Sequence, residues 1–177
     1  MGDRNTIREY VTLNRGTVSG GGLTRIGDDN WLMAYIHVAH DCFVGNQTIF
    51  SNNASLAGHV TVGDYAILGG FTLVHQFCTL GAHCFTGMGS AIAKDVPPYL
   101  LIAGHPGRPH GINVEGLKRR GFSGDGIRAL RQAYKFLYRS GLKLDEAKAE
   151  IRKLAEGSEE AGHFADFLDA SERGVVR

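Results

Sequence analysis

From Ile26 to Ile92 a large apolar side chain returns at every sixth residue: Ile26, Leu32, Val38, Val44, Phe50, Leu56, Val62, Leu68, Val74, Leu80 and Ile92, with Thr86 the one polar exception. Eleven of these twelve positions are apolar in a chain that is 43% hydrophobic, where chance gives roughly five. A helix repeats at about 3.6 residues and a simple strand at about 2, so neither explains a period of six. A parallel β-helix does, because each six-residue unit is one flat face of a three-sided coil. Three units, about eighteen residues, then make one turn, and each residue lies about 4.8 Å beneath its counterpart in the next coil. Spacing along the chain can therefore be read as distance.

The other phases of the repeat agree. The residue after each anchor is usually small, as at Gly27, Ala39, Gly45, Ala57, Gly63, Gly69, Gly81 and Gly87, which suits tight corners with positive φ or crowded backbone. Four residues after the anchor come small or β-branched groups such as Cys42, Thr48, Ala54, Val60 and Ala66, expected to share the interior. The same phase reaches back to Met1, Ile7 and Leu13, interrupted by residues 14–25, where Gly20, Gly21 and Gly22 mark a loop thrown out of the coil. Met1-Gly2-Asp3 repeats the form of Ile26-Gly27-Asp28, so the chain starts inside a repeat. Solenoid ends need caps, and the expectation is a chain lacking its first coils.

Pro97 and Pro98 are expected to end the solenoid, giving a coil domain over residues 1–96 and a helical domain over 97–177. The fold class is mainly β with an α-helical tail. In the tail, Asn113 is placed to cap a short helical turn. Ser123 precedes a run to Ser140 with Ile127, Leu130, Ala133, Tyr134, Leu137 and Tyr138 at helical spacing, and Gly141 is its stop. Two further helices are expected from Asp145 to Ala155 and from Glu159 to Ser171.

Composition narrows the class. No apolar run is long enough to span a bilayer and no signal peptide is visible, so the expected location is cytoplasmic. Cys42, Cys78 and Cys84 all fall on inward phases. Cys42 and Cys78 would lie two coils apart, about 9.6 Å, too far for a disulfide. They read as small core residues in a reducing compartment. The net charge of +1 hides an asymmetry: residues 108–143 hold nine Lys or Arg and two acids, and residues 144–172 hold three bases and nine acids. The basic half is either a solvated helix face or a dock for an acidic partner. No nucleic-acid motif accompanies it.

Seven of the eight histidines precede residue 111. Eighteen-residue stacking puts His40 beneath Gly58, Gly58 beneath Gln76, and Asp41 beneath His59, with His75 beside Gln76. One lateral surface would then carry five polar side chains over about 10 Å. Asp41 beside His40 would hold the imidazole in one tautomer and favour proton acceptance. A bare amide at Gly58 would suit an oxyanion. The same residues also fit a polar ladder without function, or a zinc site like that of gamma-class carbonic anhydrases. His37-x-x-His40 alone is too common a spacing to establish a metal site.

Four segments together resemble one family. They are Ile36-His37-Val38-Ala39-His40-Asp41-Cys42, Asn53-Ala54-Ser55-Leu56-Ala57-Gly58-His59-Val60, Val74-His75-Gln76-Phe77-Cys78 and Asn113-Val114-Glu115-Gly116-Leu117-Lys118-Arg119-Arg120-Gly121-Phe122. The family is the UDP-N-acetylglucosamine O-acyltransferases of lipid A synthesis, and the resemblance covers essentially the whole chain. It implies a left-handed parallel β-helix and a homotrimer with sites between subunits. It also implies transfer of a 3-hydroxyacyl group from acyl carrier protein to the 3-hydroxyl of UDP-N-acetylglucosamine, without metal or other cofactor.

Residue by residue, the resemblance makes His40 the general base, Asp41 its orienting partner and the Gly58 amide the oxyanion donor. His37, His59, His75 and Gln76 would position substrate. Asn113, Glu115, Arg119 and Arg120 would serve the nucleotide side, where arginine forks suit a diphosphate. The basic helix that follows would face acidic carrier protein. Family members carry several more coils before the point where this chain starts, and those coils supply part of the sugar-nucleotide site. The alternative is accordingly a non-catalytic trimeric fragment that keeps the fold and carrier-protein binding. Met88 matches a position that stops the acyl chain. At 48 residues from His40, or about 13 Å of axial rise, it would favour an acyl chain of about ten carbons.

Overall fold

In the computed structural model, which describes all 177 residues, the six-residue pattern winds into a parallel three-sided solenoid followed by four helices. Each face stacks two-residue strands from successive coils. The first face begins Thr6–Ile7, Trp31–Leu32, Ile49–Phe50, Ile67–Leu68 and Phe85–Thr86. The second is Thr12–Leu13, His37–Val38, Ser55–Leu56, Leu73–Val74 and Ala91–Ile92. The third is Arg25–Ile26, Phe43–Val44, Thr61–Val62 and Thr79–Leu80. Val38 pairs with Leu56 and Leu56 with Val74, the expected eighteen-residue register. In the first coil the partners are 25 apart, Ile7 with Leu32 and Leu13 with Val38, because seven extra residues are looped out between the second and third faces.

The anchors fill the interior. Leu32, Val38, Phe50, Leu56, Leu68 and Leu80 are fully buried, with Cys42, Cys78 and Cys84 among them. Thr86, the polar exception, is also buried. It hydrogen-bonds the Thr72 hydroxyl at 2.8 Å and accepts the Gly69 N–H at 3.2 Å, so its hydroxyl is satisfied inside the coil.

Of the two expected reasons for small residues after the anchors, crowded backbone is the one that holds. Positive φ falls on the third residue after each anchor, at Asp29, Tyr35, Asp41, Gln47, Asn53, His59, Tyr65, Phe71, Phe77 and His83. The small residue just after the anchor, such as Gly45 or Gly63, has ordinary φ and is small because the next coil's backbone leaves no room for a Cβ. Large polar and aromatic side chains therefore occupy left-handed positions and project outward in columns.

The sheet also runs past the Pro97–Pro98 step. Leu100–Ala103 adds parallel to Phe85–Thr86, and Arg108–Ile112 adds antiparallel to it, so β structure continues to Ile112. Two prolines interrupt one corner; they do not prevent the chain from rejoining the first face. The helices are α1 (Val114–Arg119), α2 (Gly124–Tyr138), α3 (Leu144–Ala155) and α4 (Glu159–Ala170). Asn113 and Ser123 cap α1 and α2 as expected, each accepting a backbone N–H through its side chain. Leu130, Leu137, Ile151, Phe164 and Leu168 form the tail's share of one continuous core. No helix is long and apolar enough to cross a membrane.

Burial pushes the Cys78 thiol up to about 11 and Cys84 up to about 12, and raises Cys42 as well. Thiolate is the reactive form, so these groups are inert while the coils stay closed. An aromatic disulfide reagent at about pH 8 should leave all three cysteines unmodified in the native protein and titrate all three in denaturant. Rapid native-state modification would contradict the closed core.

Candidate active site

The corner between the second and third faces carries the histidine column. His40 and Asp41, then Gly58 and His59, then Gln76 and Phe77 follow one another up three coils, held by bonds such as His59 N–H to His40 C=O at 3.1 Å and Phe77 N–H to Gly58 C=O at 3.1 Å. His40 is half-buried and its Nδ1 lies 2.8 Å from Asp41 Oδ2. With Nδ1 donating to the carboxylate, Nε2 keeps its lone pair. The His40 ring covers Gly58: a Cβ there would stand 2.6 Å from His40 Cε1. The Gly58 N–H donates to no group of the chain. The equivalent N–H groups of Ala34, Asn52 and Gly70 are free as well, and what sets Gly58 apart is the His40 ring beside it. His59 meets His40 edge-on at 5.2 Å between ring centroids and stacks on Phe77 at 4.5 Å.

Asp41 is almost wholly buried, and His59 Nε2 approaches it at 3.9 Å. Hydrogen bonding from the Thr17 hydroxyl, then from His40, holds its carboxyl below the usual range in spite of burial. Thr17 escaped the sequence reading. It lies on the looped-out segment, and its N–H reaches Asp41 Oδ1 at 3.0 Å while its hydroxyl reaches Oδ2 at 2.7 Å. Thr24, at the loop's far end, accepts the Asp41 N–H at 2.8 Å. The signal was in the phase: residues 14–24 replace the corner directly beneath His40 and Asp41.

The remaining expected residues separate into groups. His37 is exposed on the second face, bonded through Nδ1 to the Thr12 hydroxyl at 2.7 Å. His75 and Gln76 are exposed above the histidine column, with His75 Nδ1 3.1 Å from the Gln76 carbonyl. Asn113, Glu115, Arg119 and Arg120 lie at a different corner, between the third and first faces. There Asn113 donates to the His83 carbonyl at 3.1 Å, and Arg120 bonds Gln47 at 3.0 Å while covering the Tyr65 ring at 4.3 Å. That corner is an aromatic column of Tyr65, His83 and Tyr99, with Phe122 set edge-on against it. Burial first, then the Arg120 charge, lowers His83 to about 4, so it is a neutral packing group. Met88 is on the third corner, between the first and second faces, and is 81% exposed. Its 48-residue spacing from His40 is two coils plus two faces, so the two share an axial scale but not a corner of one chain.

A base with a buried carboxylate behind it, next to an unpartnered amide, suits proton removal from a nucleophile and stabilisation of an oxyanion. The ligating atoms of His40, Asp41 and His59 fall within 4.8 Å of one another. Hydrogen bonds from Thr17 and His40 already engage the carboxylate.

Residues 95–176 match a family described as Udp N-acetylglucosamine O-acyltransferase; Domain 2. The acyl-[acyl-carrier-protein]–UDP-N-acetylglucosamine O-acyltransferase of Thiobacillus denitrificans is 57% identical over this whole chain and 69% of its own length, and that of Alkalilimnicola ehrlichii is 56% identical over the same shares. Among solved structures, LpxA from Acinetobacter baumannii superposes with a TM-score of 0.96 at 45% identity, over 99% of this chain and 69% of that one. The Francisella novicida UDP-N-acetylglucosamine acyltransferase gives 0.97 at 42% identity, over 99% and 64%. With that identity sustained from end to end of the chain and the same fold in the solved structures, the chain belongs to the UDP-N-acetylglucosamine O-acyltransferase family.

Proposed function

We propose that the chain transfers a 3-hydroxyacyl group from acyl carrier protein to the 3-hydroxyl of UDP-N-acetylglucosamine, the step that opens lipid A synthesis. The observation that carries the chemistry is the His40–Asp41 pair set over the unpartnered Gly58 amide. His40 Nε2 takes the proton of the sugar hydroxyl as its oxygen attacks the thioester carbon. The Gly58 N–H donates to the oxyanion of the tetrahedral intermediate. The C–S bond then breaks, and the leaving thiolate takes the proton back from His40. Asp41 stays ionised throughout, compensating the imidazolium as it forms. His37, His59, His75 and Gln76 line the approach of sugar and acyl groups.

The working unit is a homotrimer in this reading. One chain puts the base on one corner, Arg119 and Arg120 on a second, and Met88 on a third. Threefold rotation about an axis along the solenoid brings different corners of neighbouring chains together. Exposed Phe43, Phe71, Leu73 and Met88 supply the apolar surface that such association would cover. Met88 then acts as an acyl stop across the subunit boundary. The basic helix α2, with Arg128, Arg131 and Lys135, faces acidic carrier protein.

His40→Ala should lower kcat by about 10²–10⁴-fold with melting temperature and assembly unchanged. Gly58→Ala should do the same by a different route, because its methyl would strike the His40 ring. The check is steady-state transfer from acyl carrier protein to the UDP-sugar, and near-parental kcat in both variants would sink the assignment. A parent without transfer activity that still binds carrier protein would instead mark the chain as a non-catalytic member of the family.

Sedimentation equilibrium at micromolar concentration should give three times the 19.1 kDa chain mass. A monomer that retains full specific activity would rule out the shared cleft.

A further inference from the structure

The looped-out segment between Leu13 and Arg25 fits the buried carboxylate closely. Thr17 donates to Asp41 through both its N–H, at 3.0 Å, and its hydroxyl, at 2.7 Å. The direction of that hydroxyl is settled by its other contact: Thr17 Oγ1 accepts the Gly20 N–H at 3.1 Å, leaving its single proton for the carboxylate. Thr24 accepts the Asp41 N–H, so the loop grips the aspartate from side chain and backbone together. At two loop positions beside it nothing larger than glycine is accommodated. A Cβ at Gly16 would stand 2.7 Å from Asp41 Oδ1, and one at Gly20 would strike Asp41 Oδ2 and lie 2.7 Å from His59 Cε1. The oxygen that receives the Thr17 hydroxyl, Oδ2, is the same oxygen that receives His40 Nδ1.

We infer that Thr17 is a positioning residue for the acyl transfer: it holds the Asp41 carboxylate turned toward His40, which in turn fixes the imidazole tautomer. This rests on His40 being the base. The loop is thus the catalytic corner's missing wall. Its seven extra residues supply what the regular coil geometry does not, a donor pair beneath Asp41. The titratable groups facing Asp41 are His40 from its own corner and His59 from the next coil, and the loop contributes only hydroxyl and amide groups.

The test compares Thr17→Val, Thr17→Ser and His40→Ala in the transfer assay across pH, with melting temperature measured alongside. Thr17→Val removes the hydroxyl donor and keeps the shape. It should lower kcat about tenfold with KM for the UDP-sugar close to parental. With one donor fewer, the Asp41 carboxylate becomes a stronger partner for the imidazolium, so the acid limb of the kcat profile should also move to higher pH. Thr17→Ser should restore both. A Thr17→Val enzyme with parental kcat and acid limb overturns the inference. So does one whose activity falls only in proportion to folded protein. If Thr17→Val does not fold, Gly20→Ala, which pushes on Oδ2 directly, should give the same kcat loss and limb shift, and a parental profile there overturns the inference. Turnover surviving His40→Ala would bring down the base assignment itself. Loss in His40→Ala with a parental Thr17→Val would bring down the Thr17 role alone.

Discussion

The ladder of backbone hydrogen bonds between successive coils decides where every side chain of this solenoid stands. Each coil passes N–H to C=O bonds to the next at about 2.8–3.1 Å, as from Gly45 to Val62 and from Gly63 to Leu80. Because the register repeats at eighteen residues, a residue has a defined neighbour above and below. The interior then needs only an anchor every sixth position, and the corners are left for chemistry. His40, Gly58 and Gln76 are remote in sequence but consecutive in the column. The geometry of the column is a by-product of a structural repeat.

The same ladder explains why strain and function coincide at the corners. Left-handed backbone at a non-glycine residue costs roughly 1–2 kcal/mol, and here it recurs at every corner from Asp29 to His83. The ladder on either side over-determines the turn, so the cost is carried by the whole coil. What the turn supplies is direction: Asp41, His59 and Phe77 project from one edge, and Tyr65 and His83 from another. One edge became a polar column of His40, Asp41 and His59 with a free amide at Gly58. The other became an aromatic stack that seats Arg120 and the start of the helical tail.

Much of this was legible in the chain because a period of six converts directly into space. The anchors, the inward cysteines, the stacking of His40 on Gly58 and the caps at Asn113 and Ser123 all follow from spacing and residue type. Three features did not. Continuation of the sheet to Ile112 was hidden by Pro97 and Pro98, which look like a terminator but interrupt only one corner. The separation of Met88 from His40 was hidden by reading a spacing of 48 residues as axial rise alone, when the two faces left over after two coils also move the side chain to another corner. Thr17 was hidden because an insertion has no place in the repeat, and its contacts depend on how the loop folds back. The nearest clue was that the insertion replaces the corner beneath Asp41.

The central claim is that one site is assembled from different corners of neighbouring chains. It is tested most directly by mixing two impaired chains, His40→Ala and Glu115→Ala/Arg119→Ala, unfolding and reassembling them together, and measuring transfer at low UDP-sugar concentration. In random mixed trimers, about a quarter of the sites would draw an intact His40 from one chain and intact Glu115 and Arg119 from its neighbour. The account predicts that the mixture recovers about that share of parental activity while neither variant alone does. A mixture no more active than the sum of its separate components would contradict it, placing the whole site within a single chain.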